Sequence, residues 1–308
     1  MSVPSYGKVL GWGKPMTGEV LNGFVQVQEK VDGSQFRFMR DAYDGLHFAS
    51  HHCDLFPGAA GMFQKAVDYV SAMPAEAFET GIVYCCEYLG KPKQNTLSYG
   101  RAPTNNLVLF DAYDTLRQRF ISRVYLMHYA DRLGIDLIPL LCASDEAGED
   151  FVRSWLDTES YLGGEKVEGV VVKNYDQHVV IGGQVMPLFV KLVNNAFRER
   201  NDKAWNADSG KSKVATLVDS YCTAARWEKA VQHMSERGDL TGTVKDIGPL
   251  LGEIAHDLTD EETEDAKERL WRIYKGDIVR AAQRGFPDWY KAHLAMADEL
   301  DAAEAING

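Results

Sequence analysis

The chain is poor in cysteine, and none of its five (Cys53, Cys85, Cys86, Cys142 and Cys222) stands at C-x-x-C spacing from another. An odd, unspaced set excludes a disulfide framework and a two-pair zinc site, and leaves reduced thiols in a cytosol as the expectation. Long apolar runs are missing too. Nothing approaches the roughly 20 residues a membrane helix needs, and Met1 to Gly18 is polar and glycine-rich, unlike a leader. A soluble, cytoplasmic protein without a membrane partner is therefore expected. Basic residues are scarce: 33 Lys and Arg stand against 45 Asp and Glu, for a net charge of -12 and a pI near 5.2. A surface-wide positive field for nucleic acid is excluded, whereas a local basic groove is not. Neither GxxxxGK[ST] nor GxSxG occurs, so Gly7-Lys8 and Gly90-Lys91 read as plain loops.

What is present is a chain of 308 residues with 45% hydrophobic content, enough for one large domain or two ordinary ones. β-branched and aromatic runs recur to about residue 195: Phe24–Val27, Phe36–Met39, Leu46–Ala49, Gly81–Tyr88, Leu107–Tyr113, Ile135–Leu141, Val167–Lys173 and Leu188–Val193. Adjacent Cys85 and Cys86 on one strand would face opposite ways. Helical stretches lie between, at Phe63–Met73, Leu116–Leu133 and Glu146–Thr158. The strands do not alternate regularly with helices. The expectation is an α+β fold of mostly antiparallel sheets with flanking helices. Arg198–Ser212 reads as a polar linker. Helices follow at Val214–His233, Val244–His256, Asp260–Tyr274, Lys275–Arg284 and Pro287–Ile306, with a capping-box pattern at Thr259-Asp260-Glu261-Glu262. The domain expectation is 1–200 and an all-helical 213–308.

The richest stretch is Glu29-Lys30-Val31-Asp32-Gly33-Ser34, placed straight after a β-rich run. A lysine at a strand end, beside a turn glycine, can act as a covalent nucleophile. A free lysine is protonated at neutral pH, with a pKa of about 10.4, and reacts only when desolvated or crowded by other cations. Lys173 in Glu168–Lys173 (EGVVVK) and Lys191 in Phe189-Val190-Lys191-Leu192 could supply that crowding, or neutralise a phosphate. Attack on an α-phosphate would give a phosphoramidate and expel pyrophosphate, with carboxylates holding Mg²⁺ against the phosphates. Taken singly each motif is ordinary, and Glu87 or Phe110 alone would pass for core. Their order in one chain, each on an expected strand, carries the weight.

That order resembles the covalent nucleotidyltransferase superfamily, and within it the RNA ligase 2 family of nick-sealing enzymes. The motif-bearing part runs from about Lys30 to Phe197, and the helical third is a weaker likeness, notably around Val244–Gly252. The resemblance implies an ATP-dependent RNA ligase that needs Mg²⁺ (or Mn²⁺) and joins RNA ends, with nicked duplex as the first substrate to consider. Lys30 would become adenylated. Glu29 would read the adenine amino group, and Asp32, Gly33 and Gln35 complete the nucleophile motif. Glu87 would bind ribose hydroxyls and Phe110 stack on adenine, with Asp111 beside it. Glu168 would hold the metal or its waters, Lys173 the phosphates and Lys191 the α-phosphate. The helical domain would grip duplex ends with Arg226, Lys229, Arg269, Arg272 and Arg280.

Three positions depart from the family pattern. Val193 stands where a second lysine follows Lys191, His51 or His52 where an arginine touches nucleic acid, and Gln35 where asparagine is usual. A DNA ligase or capping guanylyltransferase is the nearest alternative, and an oligonucleotide-binding β-barrel after the last motif would be its mark. A non-catalytic protein that binds RNA ends is the alternative from another class.

Overall fold

The computed structural model describes residues 2–181, 183–194 and 213–294, without the side chains of Pro15 and Glu264. The expected linker Arg198–Ser212, Phe197 and the end of the helix expected over Pro287–Ile306 lie outside the described residues.

Two sheets build the described part up to Asn194. The first has strand order β1-β12-β11-β2-β10, formed by Leu10–Gly11, Gln184–Val193, Gly169–Ile181, Val25–Lys30 and Leu140–Ser144. Only the short β1–β12 pair is parallel. The second has order β5-β4-β3-β6-β7-β8: Asp54–Leu55, Leu46–Ser50, Ser34–Arg40, Ile82–Tyr88, Leu107–Asp114 and Arg119–Phe120. The short β9 (Asp136–Leu137) adds to β7 in parallel. This is the α+β architecture that the sequence suggests.

Alternation decides which side chains reach the site. On β2, Val25 and Val27 join Val170, Val172, Val190 and Leu192 in an apolar cluster that α3 (Glu149–Ser154) covers through Val152. Gln26, Gln28 and Lys30 therefore turn to the opposite face. The second sheet buries Phe36, Phe38, Tyr84 and Leu107 against α1 (Gln64–Ser71) and α2 (Arg123–Leu133). Its other face packs Met39, Val83 and Cys85 with Tyr6 and Phe110. Cys85 and Cys86 thus lie in opposite clusters, as strand geometry requires.

The expected helices are redrawn in three places. The stretch Leu116–Leu133 is helical only from Arg123, because the Asp114 carboxylate accepts from the amides of Leu116 and Arg117. Gln118, at φ 51°, then turns the chain back so that Phe120 pairs with Tyr113. Val214–His233 is two helices, α4 (Lys213–Ser220) and α5 (Ala224–Arg237), the second capped by the Thr223 side chain on the Arg226 amide. No helix starts at Thr259: α6 runs unbroken from Ile247 to Gln283, and the Thr259 hydroxyl only returns to the Ala255 carbonyl. A capping box does exist, but at Thr243 and Asp246. Among the described residues no helix is long and apolar enough to cross a membrane.

Candidate active site

β2 ends at Lys30, directly opposite Gly169, the first residue of β11. A Cβ on Gly169 would lie 2.4 Å from the Leu192 carbonyl oxygen and 2.9 Å from Val193 Cα. Only glycine lets the three strands close up here. The closure brings Glu168 to Lys30, whose Nζ donates to both carboxylate oxygens at 2.6 Å. Burial alone would lower the lysine pKa. The charge and hydrogen bond of Glu168, reinforced by Asp32 and Glu87, outweigh it and hold the pKa above its ordinary value. Lys30 is therefore an ammonium here, and crowding by cations does not act on it as the sequence suggested.

Lys173 shows why. Its Nζ is buried on Asp111 Oδ2 at 2.8 Å and the Phe110 carbonyl at 3.0 Å. Burial is the main influence on it and pulls its pKa down, against the Asp111 charge. The Tyr6 and Tyr175 hydroxyls donate to the same Asp111 oxygen. This is a sealed ion pair that ties the two sheets together.

Phe110 owes its position to a bulge. Across β6 and β7, Cys85 faces Asp111 while Cys86 faces Leu109, so Phe110 is the extra residue. A bulge lets two successive side chains share one face. Phe110 and Asp111 both turn toward Lys173, with the Phe110 ring 5.2 Å from its Nζ and edge-on to Tyr6 at 5.1 Å. Glu87 and Gln35 sit opposite each other on β6 and β3. Burial, above all, pushes the Glu87 carboxyl up to about 8. Gln35 Oε1 and, on β2, Gln28 Nε2 are buried with no hydrogen-bond partner. Two orphaned polar atoms on facing walls suit a bound polar ligand, because such groups are rarely left unpaired.

The acidic residues of the nucleophile motif do structural duty. The Asp32 carboxylate accepts from the amides of Thr96 and Leu97, both at 2.8 Å, and its own amide donates to the Tyr99 hydroxyl. It pins the loop Gln94–Leu97 beside Lys30. Gly33 gives room here, since a Cβ would press on Leu89 Cδ1 at 2.8 Å and on Glu87 Oε2 and the Tyr88 carbonyl oxygen at 3.1 Å. Glu29 lies on the opposite side of β2 from Lys30 and accepts from the Ser160 hydroxyl and the Tyr161 amide. Asn95, whose side-chain amide donates to the Asp32 carboxylate and the Gly33 carbonyl, also lines the cleft, while Tyr99 and Ser160 support the motif from outside it; the sequence offers only a polar loop as a signal for Asn95.

Lys30, Asp32, Gly33, Glu168 and Lys191 line one cleft of about 790 Å³. Glu29, Gln35, Glu87, Phe110 and Lys173 do not line it. The cleft's other walls come from Lys8–Trp12 and Lys14 and from α5 and α6. The basic residues expected to grip nucleic acid are paired with acids instead. Arg226 is buried against Asp257 and Glu262, Lys229 holds Asp257 and Glu261, and Arg269, Arg272 and Arg280 hold Asp265, Glu268 and Asp277. The His52 ring lies 4.7 Å from that of His233, tilted by 59°, and burial lowers its pKa to about 4. Burial lowers that of His51 as well. Neither supplies a cation at neutral pH.

Three comparisons bear on this arrangement. No curated protein sequence matches the chain significantly. Solved structures of a Naegleria gruberi RNA ligase resemble it at the level of TM-scores 0.46–0.49. One with ATP and manganese is 17% identical, covering 66% of this chain and 59% of that one, at TM-score 0.49. Another, with pyrophosphate, is 17% identical, covering 66% and 63%, at TM-score 0.46. The chain spans 57–63% of the length of these ligases, less than two thirds. The family model described as RNA ligase matches residues 23–188, more than half of the chain and every motif from Glu29 to Lys173. The chain belongs to the RNA ligase family.

Proposed function

We propose that the protein is an ATP-dependent RNA ligase. The observation that carries this reading is Lys30 itself: a strand-end amine in an open cleft, bound to Glu168 and sharing that cleft with Lys191, inside the stretch matched by the RNA ligase family. In the first step the uncharged Lys30 Nζ attacks the α-phosphorus of ATP. A P–N bond forms, the bond to the bridging oxygen breaks, and pyrophosphate leaves. The AMP then passes to the 5′-phosphate of an RNA end, and a 3′-hydroxyl displaces it. Attack needs the proton now held by Lys30 to leave, so anything that draws Glu168 away from it favours the nucleophile.

The residue roles follow the same reading. Lys191 takes the α-phosphate, and Phe110 and Glu87 take adenine and ribose once the bulged strand and the cleft adjust to a nucleotide. The unpartnered Gln28 and Gln35 atoms support a polar ligand between the sheets. Glu29, Asp32 and Gly33 act by holding the strand end and its loop, and Lys173 by holding Asp111. Glu168 is the carboxylate that suits magnesium or manganese, since such ions are commonly held by one or two carboxylates together with substrate phosphates. When bound, the ion would neutralise charge on the phosphates.

Residues 1–200 would be the nucleotidyltransferase unit and 213–308 a helical unit that contacts the nucleic acid, with nicked duplex the first substrate to test. Free cysteines at all five positions support a reducing, cytoplasmic setting. A DNA ligase or capping enzyme is disfavoured, because the described residues after Lys213 form helices and no β-barrel. The test is sealing of a 3′-hydroxyl/5′-phosphate nick with RNA or DNA placed at each side. Sealing with an RNA 3′ end, lost in Lys30→Ala, supports the reading. ATP consumption without joined product, or joining that survives Lys30→Ala, overturns it.

A further inference from the structure

A nucleoside triphosphate brings several negative charges, and the sheet wall offers little to meet them. Lys30 is already neutralised by Glu168, Lys173 is sealed away on Asp111, and Val193, next along the same strand face from Lys191, carries no charge. Lys191 remains. The other cations of the cleft come from elsewhere in the chain. Lys14, in the N-terminal segment, donates to the Glu261 carbonyl at 2.6 Å. Lys229, on α5, donates to the Glu261 carboxylate at 2.9 Å and pairs with Asp257 at 2.7 Å. Lys191 itself lies 3.7 Å from that carboxylate. Three lysines from three separate segments converge on one residue of α6, all lining the cleft that holds Lys30.

We propose that Lys14 and Lys229 form a subsite for the β- and γ-phosphates of the nucleotide, next to Lys191 on the α-phosphate, a place that the Glu261 carboxylate occupies until ATP enters. The idea rests on the ATP-dependent reading above and names which residues of this chain receive the leaving pyrophosphate. Glu261 behaves as a resident anion. Burial would raise its pKa, yet Lys191, Lys229 and Lys14 hold it well below the ordinary carboxylate range. A polyphosphate carries more charge and more acceptor oxygens than one carboxylate, so it makes more charge-assisted contacts with the same lysines. Asp257, which also binds the buried Arg226, keeps Lys229 aimed at the cleft when Glu261 swings out. The second link between α6 and the N-terminal segment, Lys8 to Asp260, is exposed and offers little resistance to that movement.

The experiment uses the full chain with Lys14→Ala, Lys229→Ala, the double variant and Glu261→Gln. Protein adenylation is timed against ATP concentration. The double variant should raise KM for ATP about tenfold or more, and Glu261→Gln should lower it several-fold. Joining of a pre-adenylated 5′ end, which uses no triphosphate, should suffer much less in the double variant than adenylation does. Independently of activity, inorganic tripolyphosphate should raise the Tm of the wild type, raise it further in Glu261→Gln, and leave the double variant unmoved. An unchanged KM in the double variant, or a tripolyphosphate shift equal to that of the wild type, overturns the subsite. If the wild type itself takes no AMP, it is the reading of Lys30 that fails, and the tripolyphosphate shifts still decide the subsite.

Discussion

The two walls of the cleft are built by different physics. The sheet wall sets its chemistry by strand register and burial: Lys30 is fixed at the cleft opposite Gly169, and behind the cleft Phe110 is placed by a bulge and Lys173 by a sealed ion pair. The helical wall sets its own by long side chains and ion pairs on α5 and α6, and beyond Asp265 the second of these helices is largely exposed. A substitution on the sheet side should therefore damage stability and chemistry together. On the helical side, exposed pairs should be nearly silent, and only the residues that reach the cleft should matter.

The sharpest way to break that contrast is the buried pair. Lys173→Ala leaves Asp111 charged and buried, so a loss of about 3–5 kcal/mol is expected in urea unfolding. A loss below 1 kcal/mol would mean that register and burial do not govern this wall. Next is the proton on Glu87. Its folded-state pKa of about 8 lies above the ordinary 4.5, so the folded chain keeps a proton that the unfolded chain has released between those values. Stability contributed by this group is full below pH 4.5 and is lost as pH rises to about 8. The fall should be on the order of 2–4 kcal/mol, and Glu87→Gln should flatten it in thermal melts across that range. Gly169→Ala comes third. Its methyl would press on backbone, not on a side chain that can yield, so about 1–3 kcal/mol is expected, with adenylation lost as Lys30 and Glu168 part. Smallest are Arg272→Ala and Arg280→Ala, exposed partners of Glu268 and Asp277. Each should change stability by no more than about 0.5 kcal/mol. A larger change would give the exposed helix a structural role that the contrast denies it.

The same contrast explains what could be read from the sequence. The strands carrying Lys30, Glu87, Phe110, Lys173 and Lys191 were legible because β-branched and aromatic runs announce them, and their order brought the residues together as a set. The bulge at Phe110 was not, since nothing in Val108–Ala112 marks where register slips. Nor was the burial of Lys173, which depends on which sheet face meets which. The helical wall was read less well. The acids of Thr259–Glu262 read as a capping box at a helix start, but they lie mid-helix, where Arg226 and Lys229 reach Asp257, Glu261 and Glu262 from α5. Gly7-Lys8 is the plain loop the sequence suggests, but Lys8 and Lys14 form part of the cleft, a placement fixed by the parallel pairing of Leu10–Gly11 with β12 and by their contacts with Asp260 and Glu261.

The most direct measurement is the intact mass of the protein after incubation with ATP and Mg²⁺, followed by peptide mapping. The account predicts a gain of one AMP on the wild type, located on Lys30 and absent from Lys30→Ala. No gain on the wild type, or AMP on a different side chain, would contradict it.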